Sequence, residues 1–241
     1  MRDYLLDIVQ HTHGLGVINL IKIIGTADKT EINAFDTETK TVILNAEFKN
    51  PNPDFIGTFG MPNLDRLNTI LNLPPYKEDA QITVSKQNGT PSGIDFTNKD
   101  GDFKNNYRFM GEAVINDMLK TVILSANVNW GVEFTPTAAA IQKLRFQSQA
   151  HSDATNFATK LENGDLKIYF GDPSSHAGNF VFAPGCGGTL SKELYWPVGV
   201  VNSILSLPGD KTFKISDKNV AEITVDSGLA VYKYMLPSQT K

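Results

Sequence analysis

A chain of 241 residues, 41% hydrophobic and 20% charged, has the balance of a globular protein and the length for one large or two ordinary domains, each with a real core. Its net charge of −4 excludes a large basic surface that would hold nucleic acid by phosphate contacts, though not a protein that holds it by topology. No apolar run approaches the roughly 18–20 residues of a membrane span; acids within Met1–Asp7 speak against a signal peptide, and the single Cys186 allows no internal disulfide and fits a reducing cytoplasm.

In chain order, Arg2–Gln10 reads as a helix, followed by alternating strand patterns over Val17–Gly25, Glu31–Asp36 and Thr41–Phe48. Asp28, Glu31, Asp36 and Glu38 read as the solvated face of a hairpin. Phe55–Phe59 leads into a helix over Asn63–Leu73, and the strands Ala80–Lys86 and Gly93–Thr97 flank Asn88-Gly89, a hairpin turn rather than a glycosylation site. A third strand ends at Tyr107-Arg108-Phe109-Met110. Gly111–Asn129 is then an apolar connector, with Val114, Ile115, Met118, Leu119, Val122, Ile123 and Leu124, unlike a flexible spacer. Next come a helix over Pro136–Gln149 capped by Thr135, strands at Thr155–Leu161, Leu166–Phe170, Asn179–Ala183 and Lys192–Tyr195, a helix over Val198–Ser206, and strands at Lys211–Ser216, Val220–Val225 and Tyr232–Met235.

Within this order one unit occurs twice. Met61-Pro62 through Asn68-Thr69-Ile70-Leu71-Asn72-Leu73-Pro74 is echoed by Trp196-Pro197 through Asn202-Ser203-Ile204-Leu205-Ser206-Leu207-Pro208. Pro62 and Pro197 are expected at the first helical position, where a missing N–H costs nothing. Leu67, Ile70, Leu71 and Val201, Ile204, Leu205 give each helix one apolar stripe, and Leu-Pro stops both. The closing strands also match, as aromatic, cation, aromatic, methionine. Two domains of an α+β fold follow, each with two helices packed on antiparallel sheet: residues 1–110 and 130–241, joined by the connector 111–129.

Catalytic chemistry is hard to find. His11 and His13 have no acid or cysteine at ligand-like spacing, so a helix-end or surface role is expected and no metal. Pro184-Gly185-Cys186-Gly187-Gly188-Thr189 lacks the Lys-Ser/Thr of a phosphate loop, and Cys186 has no base beside it. No enzyme activity and no cofactor are expected.

The doubled Pro…Asn-(Thr/Ser)-Ile-Leu-x-Leu-Pro helix, the domain length and the Tyr234-Met235-Leu236-Pro237 ending together resemble the DNA sliding clamps, the processivity factors of replicative polymerases, and look nearest to those of tailed bacteriophages. The resemblance implies a DNA clamp fold in which a closed homotrimer encircles double-stranded DNA and tethers the polymerase after loading by a clamp-loader ATPase, in the cytoplasm of a bacterial host and without a membrane. It implies that the four helices face DNA, with Arg2, Arg66, Lys143 and Arg145 as their cations, diluted by Asp3, Asp7 and Asp65. It further implies a partner-peptide pocket at Leu119, Val122, Ile123, Leu124, Tyr234, Leu236 and Pro237, and pairing of edge strands between subunits, Phe103–Met110 against Leu166–Phe170. The alternative is a β-rich phage virion or tail module with no role in tethering to DNA, which does not predict two matched helices in each half; an enzyme on a duplicated fold stands behind both.

Overall fold

A computed structural model describes residues 1–120 and 128–240, which pack as two units: Met1–Val122 with Asp226–Tyr232, and Ile123–Val225 with Lys233–Lys241.

In unit 1, helix α1 (Arg2–His11) precedes strands β1 (Leu20–Gly25), β2 (Thr30–Phe35), β3 (Ile43–Phe48) and β4 (Gly57–Pro62), which lie in the order β4-β1-β2-β3 with antiparallel pairing. Alternation sets the faces: Ile21, Ile23, Ile32, Leu44 and Phe59 are fully buried beneath α1 and α2 (Leu64–Asn72), which pack on one another. Leu67, Ile70 and Leu71 form the expected apolar stripe. Pro62 is not inside the helix. It closes β4, Asn63 follows in a left-handed conformation (φ 53°), and the helix begins at Leu64. A separate antiparallel sheet follows, β5 (Gln81–Gln87), β6 (Thr90–Thr97) and β7 (Lys104–Arg108), with Asn88 and Gly89 both at positive φ (52° and 82°) as a type I′ hairpin requires. The connector opens with a helix that its apolar content had hidden, α3 (Glu112–Met118), which lays Ile115 on Gly60 of β4.

Unit 2 starts with β8 (Val132–Phe134) and helix α4 (Ala138–Ala150), capped by Thr137 rather than Thr135, its hydroxyl accepting from the Ala140 N–H at 3.1 Å. Strands β9 (Asn156–Glu162), β10 (Asp165–Gly171), β11 (Ala177–Ala183) and β12 (Leu194–Pro197) lie in the order β11-β10-β9-β12. Taken by rank in the chain, this is the order of β4-β1-β2-β3 read in reverse, so the two sheets share one topology. Pro197 again ends a strand and caps the next helix, α5 (Val198–Ser206). α4 approaches β11 so closely that a Cβ on Gly178 would collide with Gln147 and His151. Strands β13 (Asp210–Ser216), β14 (Val220–Asp226) and β15 (Ala230–Pro237) complete the plan, with β8 beside β13. Trp196, Tyr234 and Phe213 are among the largest buried side chains of this unit. No helix among the described residues is long and apolar enough to cross a membrane.

The first residues of β15, Ala230–Tyr232, belong to unit 1, where β3 has β15 as its neighbour and the Lys49 N–H donates to the Leu229 carbonyl at 2.9 Å. Lys49 Nζ also meets Asp226 at 2.7 Å. Strand β10 is paired on both sides, with β9 and β11, so Leu166–Phe170 cannot add a strand from another subunit; the open edge of that sheet is β11.

Candidate nucleic-acid interface

The four residues expected to face DNA are not equivalent. Arg2 is half-buried, its Nε donating to the Tyr76 carbonyl at 3.2 Å and its Nη2 to that of Leu71 at 3.1 Å. A cation on the terminal carbonyls of α2 offsets the partial negative charge there, so Arg2 ties α1 to α2. Arg145 makes a comparable crossing in unit 2, from α4 to the Ser206 hydroxyl at the end of α5, at 2.8 Å. Of the set, only Arg66 and Lys143 are exposed and without a partner among the described residues.

Reading by residue type missed Lys211, whose ammonium donates to the carbonyls of Leu207 (2.6 Å) and Gly209 (2.9 Å) and so caps α5 as Arg2 caps α2. Burial pulls its pKa below the ordinary lysine value, with the charge of Arg145 acting in the same direction. No sequence signal marks either cap, since the carbonyls belong to the backbone.

The acids also divide. Asp3 and Asp65 are exposed, but Asp7 points inward in unit 1. It accepts from the Tyr232 hydroxyl at 2.8 Å and from Ser227 at 3.1 Å, and lies 3.3 Å from His11 Nδ1. His11, buried at the end of α1, stacks on Tyr232 with ring centroids 4.4 Å apart. Asp7 therefore subtracts nothing from the helix surface. Asp36 departs from expectation in the same way. It is 2% exposed, and although burial alone would raise its pKa, the hydroxyl and N–H donors of Thr39 and Thr41 hold it at about 2. It organises the turn between β2 and β3 rather than lying on a solvated face.

What remains on the outer faces of the helices is mostly neutral. Gln10, His13, Asn68 and Asn72 rim a hollow on α1 and α2. In unit 2, Asn202 donates to the Ser148 hydroxyl at 2.8 Å, which donates to the Leu144 carbonyl at 2.7 Å, leaving the buried Asn202 Oδ1 without a partner among the described residues.

Of the residues expected to line a peptide pocket, Val122, Ile123 and Leu124 lie outside the described residues. Leu119 is buried in unit 1 next to Ala34 and Leu44, while Tyr234 and Leu236 are fully buried in unit 2 and Pro237 is half-exposed. They do not converge within one unit. Cys186 sits half-buried in its glycine loop, where burial raises the thiol pKa. No group of three or more His, Cys, Asp or Glu gathers among the described residues.

Solved structures resemble this arrangement over the whole chain. PCNA of A. fulgidus, solved with the C-terminal region of FEN-1 bound, matches with a TM-score of 0.71 at 11% identity, covering 100% of this chain and 96% of its own. PCNA from Thermococcus kodakaraensis matches with a TM-score of 0.70 at 9% identity over 99% of this chain and 97% of its own. The fold is that of a sliding clamp. No protein-family model matches the sequence, and no curated protein does. At such identities the likeness fixes the fold and the duplicated plan, and leaves the site residues to the geometry described above.

Proposed function

We propose that this chain is a subunit of a sliding clamp that encircles duplex DNA and tethers a replicative polymerase, with no catalysis of its own. The observation that carries the reading is the duplicated plan itself, two helices on one sheet topology in each unit, in a fold like that of PCNA. Two domains per chain make a ring of six from three chains, a closed cyclic homotrimer. Beside β3, unit 1 already holds part of β15. By rank in the duplication the counterparts of β3 and β15 are β11 and β7, and each of these has an open edge. Pairing β7 of one copy with β11 of the next would repeat the same strand combination around the ring and leave neither edge exposed. In that ring α1, α2, α4 and α5 face the DNA, and a clamp-loader ATPase opens it. Action in the cytoplasm of a bacterial host, as a phage clamp, rests on the sequence resemblance.

The sparse cations are compatible with this function. Escape is prevented by closure, and sliding needs contacts that break easily. With a matching loader and ATP, the protein should stay on nicked circular DNA and leave once that DNA is cut open, and its native mass should be that of three chains. Equal retention on circular and linear DNA would overturn the reading.

A further inference from the structure

The hollow on α1 and α2 has a volume of about 340 Å³, with Leu6 and Val9 as its floor and Gln10, His13, Asn68 and Asn72 around it. We propose that it is a contact site for a phosphodiester of duplex DNA, held by side-chain amides, with the His13 imidazole beside them, instead of by Lys or Arg. The proposal rests on the clamp reading and names the atoms through which that ring touches its DNA.

The amide of Asn68 is both free and fixed. The Asn72 amide donates to the Asn68 carbonyl at 2.8 Å and to its side-chain Oδ1 at 2.9 Å. That pins the Asn68 side chain and leaves its own NH2 without a partner among the described residues, as are the side chains of Gln10 and His13. No acid lines the hollow. The C-terminal end of α2 would by itself repel an anion, but Arg2 covers the Leu71 and Tyr76 carbonyls and Asn72 covers that of Asn68. The duplication supplies a contrast. Asn202, the counterpart of Asn68, is turned into the seam between α4 and α5 by its bond to Ser148, whereas Asn68 makes no such bond to α1. Side-chain amides are ordinary phosphate ligands in protein–DNA interfaces. Because they release no counterions, a ring touching DNA through them holds it with little dependence on salt, and each contact exchanges readily with water.

The test titrates the full-length protein with a short duplex, following side-chain amide resonances by NMR at low and at physiological salt. Those of Gln10, Asn68 and Asn72 should shift at both. The double variant Gln10→Ala/Asn68→Ala should bind the duplex several-fold more weakly with the same salt slope, while Arg66→Ala should lower that slope by about 0.9. Asn68→Asp, a change at a half-exposed position that keeps the side-chain shape, should weaken binding further by facing the phosphate with a carboxylate. If both variants bind as the parent does while the ring is retained on circular DNA, the hollow is only a solvated surface; the proposal falls and the clamp stands. If the parent shifts no helix resonance and is not retained on circular DNA, both fall.

Discussion

In unit 1 the first helix is held from two sides, by Arg2 on the end of α2 and by the buried Asp7, which gathers Tyr232, Ser227 and His11. In unit 2 the corresponding helix has no acid, and its partner helix is reached through Arg145 to Ser206 and through Asn202 to Ser148. One plan is thus secured by a buried acid in one copy and, in the other, by Arg145 and a chain of amide and hydroxyl groups. A duplication preserves what the sheet and the apolar stripes require. It leaves open how the polar side of each helix is used, and that freedom separates a helix pair that keeps its amides outward from one that spends them on packing.

The comparison can be broken first through the apolar stripes. Leu71→Ala and Leu205→Ala occupy matching places and are 0% and 2% exposed, so each should destabilise its own unit by about 3 kcal/mol in denaturant unfolding. A much smaller effect in one unit would mean that the two stripes are not equivalent. Asp7→Leu removes the buried carboxyl that accepts from the Tyr232 hydroxyl at 2.8 Å and from Ser227 at 3.1 Å, and should cost about 2 kcal/mol, again by denaturant unfolding. No substitution at a single α4 residue outside its buried stripe should match that. Arg2→Ala and Lys211→Ala each uncover helix-end carbonyls and should cost about 1 kcal/mol apiece, with Arg2→Lys restoring part of the loss in thermal melts. Asn202→Ala gives up the bond to Ser148 but also removes a buried unpaired oxygen, so its change should fall within about 0.5 kcal/mol of zero.

Acid sharpens the same contrast. The folded pKa of Asp36 is depressed to about 2 from an ordinary value of 3.8. Its contribution is therefore complete above pH 3.8 and is lost as pH falls through about 2. Asp36→Asn should flatten this part of the acid unfolding curve. The substitution should leave the alkaline side unchanged.

Much of the fold was legible because its signals are local. The helical period of Leu67, Ile70 and Leu71, the Leu-Pro stops and the Asn88-Gly89 turn each act over a few residues. Pro62 and Pro197 were misplaced because a proline serves the end of a strand as well as the start of a helix. Helix α3 was hidden inside an apolar connector, although Ile115 and Leu119, four apart and both buried, carried its period. The interface was less legible. A sequence shows that Arg2 is a cation, but its two carbonyl partners lie 69 and 74 residues away. Nor can alternation show which strand of a sheet is at its edge, so nothing local could correct the pairing that the resemblance implied for Leu166–Phe170, which lies inside its sheet.

The bond between Asp7 and Tyr232 joins positions 225 apart. During synthesis α1 leaves the ribosome with a carboxylate built for burial and with no hydroxyl to meet it, while unit 2 is made almost entirely before Tyr232 arrives. The unit begun first therefore stays incomplete until the chain has reached Tyr232. Until then β3 keeps a bare edge, and premature pairing with a neighbouring nascent chain is the hazard that the late arrival of Ala230–Tyr232 removes.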